Sequence, residues 1–273
     1  MNRKIVNRIF IVGCPRSGTT LLQSFLAGHD QIYTLPETHF FSEILKCNSI
    51  IKFYFKQKHI IKEFNIMKQG FNQNNFNFNL NRQSLVSEFI KLLDEQALSN
   101  KKFNWVEKTP NHLHCIKVIT KYIPDAKYVH ILRDGKDVVA SLYEVTNNYS
   151  EKWGGKKRSI KQCIRRWNND IKISEKHMGK INHYFILYSD LVINPQKELL
   201  NLANWLGIEF DKKMITQREF NSSNIISDWE KWKKNNFDKL TRKSKFKEIF
   251  DFRQQKLITK NLHKSNIFKF NLD

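Results

Sequence analysis

Four short runs of this chain combine cations, hydroxyls and a carboxylate in patterns suited to holding and transferring an anionic group. The first is Gly13-Cys14-Pro15-Arg16-Ser17-Gly18-Thr19-Thr20, which fits G-x-x-x-x-G followed by a hydroxyl residue. It stands between a short apolar run and a helical pattern. Backbone N–H groups of such a loop converge at a helix N-terminus and cradle a phosphate. A nucleoside triphosphate loop places Lys directly after the second Gly, with Ser or Thr next for magnesium. Here Thr19 occupies the Lys position and the cation is Arg16, inside the loop. The standard clamp for β- and γ-phosphates is therefore missing, and no later strand presents a convincing metal-holding Asp. The loop suits a single phosphate bearing a transferable group, gripped by Arg16, backbone donors and the two Thr hydroxyls. The competing reading is a Gly turn that happens to precede a helix.

The second run is Arg133-Asp134-Gly135-Lys136-Asp137-Val138-Val139-Ala140-Ser141. Arg133 closes an apolar strand, and in an open α/β sheet the carboxyl end of a strand faces the ligand crevice. Ser141 lies about two helical turns further on. An ion pair of Arg133 with Asp134 or Asp137 is the alternative use. Together the two runs resemble those of the sulfotransferases that take 3′-phosphoadenosine-5′-phosphosulfate (PAPS) as co-substrate. GCPRSGTTLL is similar to the family's 5′-phosphosulfate loop, which implies cofactor contacts at Pro15, Arg16, Ser17, Gly18, Thr19 and Thr20. The family's second signature is an Arg at a strand end with a Ser eight residues later. The match implies that Arg133 and Ser141 hold the 3′-phosphate. The resemblance is to the bacterial-type branch, near the tyrosylprotein and carbohydrate sulfotransferases, and covers roughly residues 8 to 206.

Sulfuryl transfer requires a base at the acceptor hydroxyl, cations on the leaving phosphate and a site that excludes water. The third run, Leu35-Pro36-Glu37-Thr38-His39, returns from the loop helix by a short connection and offers Glu37 as base. It is similar to the family's Pro/Glu-Glu-Thr element, where a Glu deprotonates the acceptor. His29 and His39 are the local rivals, and capping of the next helix is the other use of Glu37 or Thr38. The fourth run, Val106-Glu107-Lys108-Thr109-Pro110, resembles the family's E/D-K-x-P element. Lys108 would neutralise the leaving oxygen together with Arg16; a solvated lysine is the alternative. Tyr188, in Tyr188-Ser189-Asp190-Leu191, is similar to the Y-E-D-L element with Ser189 in place of Glu. It contacts the nucleotide or packs in the core. The glycine-rich tail loop of cytosolic members is absent, and Lys231, Lys233, Lys234 and Arg242 are candidates to replace its 3′-phosphate contact. His112 and His114 read as helix residues.

These runs need a scaffold that gathers loops at one edge. Ile9 to Gly13 reads as a buried parallel strand and Gly18 to Ala27 as the helix after it. Further strands are expected near Asn104 to Val106, at Lys127 to Leu132 and at His183 to Leu187. Helices are expected from Asn111, as cap, to Tyr122, from Gly135 to Asn147, over 159–178, and from Pro195 to Leu206 with Gly207 as stop. Residues 40–100 read as a mostly helical insertion broken by an Asn/Phe-rich loop at Asn72 to Asn81. Alternating strands and helices predict an α/β fold, a P-loop-like doubly wound parallel sheet with helices on both faces. The expected organisation is one sulfotransferase domain over 1–273, with its core at about 8–206 and a basic lid and helical tail at 212–273.

Composition narrows the partners. The 273 residues carry 47 Lys and Arg against 26 Asp and Glu, a formal net charge of +21. Only 11 of the cations are Arg, whereas nucleic-acid readers favour Arg for bidentate contacts. The excess Lys is read as surface composition and no nucleic-acid partner is expected. Four cysteines are scattered without CxxC or zinc spacing, so buried reduced thiols and a metal-independent reaction are expected. No run of 18 apolar residues occurs, so the expectation is a cytoplasmic protein with no membrane anchor. The expected function is sulfuryl transfer from PAPS to a hydroxyl on a small-molecule, carbohydrate or peptide acceptor. A small-molecule kinase on the same scaffold and a non-enzymatic nucleic-acid-binding protein are the alternatives.

Overall fold

A computed structural model describes residues 4–44, 82–153, 155, 157–225 and 244–269. Five strands, β1 (Asn7–Val12), β2 (Ile32–Thr34), β3 (Asn104–Lys108), β4 (Lys127–Leu132) and β5 (His183–Leu187), form one sheet in the order β2-β3-β1-β4-β5. Every pairing is parallel. The chain leaves β1 for β2 and β3 on one side, then crosses to β4 and β5 on the other. Such a reversal opens a crevice at the carboxyl ends of the central strands. Three of the four runs begin just beyond a strand's carboxyl end, and the fourth spans the carboxyl end of β3.

Strand burial follows the pleat. On β1, Phe10 and Val12 face one side, where Trp105 and Tyr128 join them against α3 (Arg82–Ser99) and α4 (Ile116–Tyr122). Ile9 and Ile11 face the other, packing with Val106, Val129 and Ile131 against α1 (Thr19–Leu26) and α8 (Pro195–Leu206). Residues 9–12 are fully buried, as expected for a central strand covered on both faces. Each such apolar side chain contributes about 1.5–3 kcal/mol by burial.

The remaining helices are α2 (Phe40–Ile44), α5 (Gly135–Asn148), α6 (Ile160–Glu175), α7 (Tyr188–Ile193), α9 (Lys213–Thr216), α10 (Arg218–Ile225), α11 (Phe246–Ile249) and α12 (Phe252–Asn261). The tail does not stand apart over 244–269. Phe246, Phe250, Ile258 and Ile267 pack with Leu132, Val138 and Trp167 in one apolar cluster beside α5 and α6.

The strands at 127–132 and 183–187 and the helix at 195–206 lie where the sequence places them, with Gly207 closing α8 at φ 73°. Three features differ from expectation. Asn111 caps no helix. A 3₁₀ turn (Pro110–Cys115) precedes α4, and the Asn111 carboxamide oxygen instead accepts from Arg166 Nη2 at 2.6 Å. The helix expected to reach residue 178 ends at Glu175. The three-residue strand β2 is not among the expected strands; its pairing to β3 sets the course of the chain toward Glu37. Lys231, Lys233, Lys234 and Arg242 lie outside the described residues, as does the loop at Asn72 to Asn81.

Candidate active site

The phosphate loop leaves β1 through Gly13 and enters α1 at Gly18. Gly18 is the N-cap at φ 101°, and a Cβ there would stand 2.5 Å from Tyr188 Cδ2. A Cβ on Gly13 would meet the Ile131 carbonyl oxygen at 2.7 Å. Only glycine fits at both places. Arg16 is held at φ 75°, uncommon for a residue with a side chain. Ser17 is almost fully buried, and among the described residues its Oγ has no hydrogen-bond partner. A buried hydroxyl without a partner costs stability unless something completes its shell. An anion in the loop would do so.

The sheet brings the second run against the first. Arg16 Nε donates to Ser141 Oγ at 3.0 Å, and Arg133 Nη1 donates to the Arg16 carbonyl oxygen at 3.3 Å. Arg133 lies over the Tyr188 ring, 4.2 Å from its centre, and Tyr188 in turn packs on Gly18. The pairing of Arg133 with Asp137 is loose, at 3.8 Å, and Asp134 is used to cap α5. Arg133 Nε is buried without a hydrogen-bond partner among the described residues. Two guanidinium groups, two buried polar atoms without a hydrogen bond among the described residues, and the first turns of α1 and α5 thus share one corner. Such a corner attracts a polyanion. The Arg16 side chain is turned toward Ser141 on α5.

The third and fourth runs meet across the crevice. Lys108 Nζ is 2.5 Å from Glu37 Oε1 and 3.3 Å from Thr20 Oγ1, and its side chain is only 2% exposed. Glu37 thus forms an ion pair with Lys108, and it stands 3.5 Å from His39 Nε2. His29 cannot serve as base in this arrangement. Its Nε2 donates to the Glu209 carbonyl oxygen and its Nδ1 accepts from Gln31 N, so both nitrogens are committed. Lys108 is buried at the site and is not a solvated surface lysine.

Residues to which the sequence patterns assign no part in the chemistry hold this half together. Glu107 is fully buried and accepts from Thr38 Oγ1, Thr109 Oγ1 and His112 Nδ1 at 2.8, 2.7 and 2.7 Å. Burial alone would raise its carboxyl; the His112 imidazole and the donors from His112, Thr109 and Thr38 outweigh that and hold it below the ordinary carboxylate value. His114 binds Asp170 on α6, which also takes Arg166. The available signal is Glu107 itself, a carboxylate placed mid-strand beside apolar residues, where burial demands partners.

Residues 8–212 match the model of the sulfotransferase family. A protein-tyrosine sulfotransferase of Drosophila melanogaster is 26% identical over 216 residues, 78% of this chain and 40% of the relative. Protein-tyrosine sulfotransferase A of Caenorhabditis elegans is 26% identical over 221 residues, 80% of this chain and 54% of the relative. The chain thus spans about half the length of these curated relatives. Among solved structures, the sulfotransferase domain from the curacin biosynthetic pathway aligns with a TM-score of 0.59 at 19% identity, over 94% of this chain and 97% of that one. A mouse sulfotransferase complexed with PAP aligns with a TM-score of 0.61 at 15% identity, over 98% and 88%. These likenesses concern the fold, and the family match spans all four runs of the site. The chain belongs to the sulfotransferase family.

Proposed function

We propose that the chain transfers a sulfuryl group from PAPS to an acceptor hydroxyl, without a metal. One observation carries the reading. The sheet joins two phosphate-binding runs, about 115 residues apart, into a hydrogen-bonded cluster through Arg16 Nε–Ser141 Oγ and Arg133–Arg16 O. A nucleotide phosphorylated at both its 3′ and 5′ positions needs two anion sites at a fixed separation. The residues fit such a group. Among the described residues the buried Ser17 Oγ and Arg133 Nε each lack a hydrogen bond that a phosphate oxygen would supply.

In this reading Pro15, Arg16, Ser17, Gly18, Thr19 and Thr20 hold the 5′-phosphosulfate. Arg133 and Ser141 hold the 3′-phosphate, and Tyr188 forms a wall of the nucleotide site. Glu37 takes the proton of the acceptor hydroxyl as its oxygen attacks sulfur in line. The S–O bond to the 5′-phosphate breaks, and Lys108 meets the charge that develops on that oxygen. Arg16 joins Lys108 there in this reading, its Nε held by Ser141. The acceptor is a phenol, sugar or peptide hydroxyl. The names of the protein-tyrosine sulfotransferase relatives favour a peptide tyrosine. The working unit is taken as one domain, with residues 244–269 bracing α5 and α6. A cytoplasmic setting belongs to the same proposal and agrees with buried free thiols at Cys14, Cys115 and Cys163. Among the described residues no helix is long and apolar enough to cross a membrane.

Thermal shifts with PAP and with magnesium-ATP test the reading. Stabilisation by PAP at micromolar concentrations, and not by ATP, is expected by mass action. Stabilisation by ATP alone would overturn it in favour of a kinase, and by nucleic acid alone in favour of a binding protein.

A further inference from the structure

The segment that carries Glu37 has no helix or strand between Thr34 and Phe40. Yet the backbone N–H groups of the next four residues all have fixed acceptors. Thr38 N donates to Glu107 Oε1 (3.3 Å), His39 N to Thr109 Oγ1 (3.2 Å), Phe40 N to Thr38 Oγ1 (3.2 Å) and Phe41 N to His112 Nε2 (3.2 Å). Each acceptor is Glu107 itself or a group that donates to it. Thr38 Oγ1 and Thr109 Oγ1 give their protons to Oε1, and His112 Nδ1 gives its proton to Oε2. Because His112 Nε2 takes the Phe41 N–H, the ring proton must be on Nδ1. One buried carboxylate therefore sets the hydroxyl directions, the imidazole tautomer and the path of the chain after Glu37.

We propose that Glu107 is the positioning residue that holds Glu37 against Lys108 in the geometry the reaction uses. The proposal rests on the reading of Glu37 as base. Its chemistry requires a carboxylate. Four donors converge on two oxygens, and only an acceptor-only group meets all four. Gln at this place offers one oxygen and presents N–H to the other donors. Either a Thr hydroxyl turns away or His112 moves its proton to Nε2 and releases the Phe41 N–H. In both cases the loop loosens. Lys108 follows Glu107 on the same strand, so the ammonium stays in place while the base drifts from it.

The test uses the full chain, radiolabelled PAPS and three probe acceptors: 2-naphthol, lactose and an acidic Tyr-containing peptide. Release of inorganic sulfate to water is read where none of them is taken. Glu107→Gln is expected to lower kcat by about 100-fold, the scale of a misplaced catalytic group. Thr38→Val, which deletes one hydroxyl and leaves the carboxylate in place, should lower it about tenfold. In both variants the KM for PAPS stays within about twofold and the thermal shift produced by PAP is kept, which a purely structural lesion would not allow. Unchanged kcat in Thr38→Val, or a loss shared equally by kcat and PAPS affinity, overturns the proposal. If Glu107→Gln does not fold, Thr38→Val decides alone. A wild-type chain that neither binds PAP nor releases sulfate from PAPS overturns the sulfotransferase reading itself. An active wild type with unimpaired variants overturns only the role of Glu107.

Discussion

Replacing Glu37 by Gln keeps the shape of the side chain and removes its charge and basicity. Glu37 Oε1 lies 2.5 Å from Lys108 Nζ. At an effective dielectric of about 20, unit charges at that separation attract by about 7 kcal/mol, much of it offset by desolvation. The Gln oxygen still accepts from Nζ, and Thr20 Oγ1 remains 3.3 Å away. The net loss is that of exchanging a charged partner for a neutral one, about 2 kcal/mol. In a domain of this size that lowers Tm by about 4–8 °C. PAP should restore the loss, because its 5′-phosphate brings the counter-charge that Gln lacks. Its Kd in Glu37→Gln is therefore expected to be unchanged to about tenfold tighter, tenfold being about 1.4 kcal/mol. Turnover should fall by about 10²–10⁴-fold, the usual contribution of a general base. Scanning fluorimetry and calorimetry with PAP read the first two quantities, and sulfuryl transfer from labelled PAPS reads the third. Wild-type turnover in the variant would refute the reasoning and hand the base role to His39. PAP binding weakened tenfold would refute it differently, making Glu37 a nucleotide ligand.

Arg133→Ala should weaken PAP binding by about 10–100-fold, the worth of one or two charge-assisted hydrogen bonds, and calorimetry showing unchanged affinity would remove Arg133 from the site. Gly18→Ala places a Cβ 2.5 Å from the Tyr188 ring at φ 101°; PAP affinity and Tm should both fall, and wild-type values for both would show that the ring yields freely. The clustered rings of His130, His177 and His183 predict an acid limit to stability. Burial is the main cause holding all three below the ordinary 6.5, His177 at about 4 and His183 at about 3. Between those values and 6.5 the unfolded chain binds more protons, so this stability is full above 6.5 and lost as pH falls. Tm should be flat from pH 7 upward and decline below about 6.5, less steeply in His183→Gln; identical profiles would show that the cluster does not set the limit.

Much of this site is legible in the amino-acid sequence, because its parts are local. The loop at Gly13 to Thr20 is a strand–turn–helix unit whose two glycines take the positive φ the turn needs, 154° and 101°. Arg133 and Ser141 are fixed relative to each other by one helix. Lys108 and Glu37 are legible as candidates, but their contact is not, since 71 residues separate them. The strand that brings them together, β2, has three residues, too few for any periodicity. Arg16 shows the same limit from the other side. Its place in the loop is evident, while the direction of its side chain depends on Ser141, 125 residues away. Glu107 stands in the fourth run and His112 reads as a helix residue, but neither is given a part in the site, because a charged or polar residue in a sequence looks solvated until its burial is known. Asn111 fails as a cap because Pro110 starts a 3₁₀ turn ahead of the helix.

The pleat of β3 explains why a carboxylate and an ammonium stand next to each other there. Successive strand residues point to opposite faces. Lys108 therefore turns toward Thr20 and the phosphate loop, while Glu107 turns toward His112 and the aromatic layer of Phe10 and Phe41. The incoming chain straddles the strand end in the same alternation, with Glu37 on the Lys108 side and Thr38 on the Glu107 side. The two contacts are made by adjacent residues, so each restrains the other. The pairing Phe10↔Glu107 and Ile11↔Lys108 is what aligns this clasp with the loop that leaves β1 two residues later. A slip of one residue in that register would send the ammonium into the aromatic layer and the carboxylate toward Thr20. The fully buried neighbours Ile9, Phe10, Trp105 and Val106 hold the register by burial. The core of this sheet and the charge pattern of its site thus impose one and the same constraint.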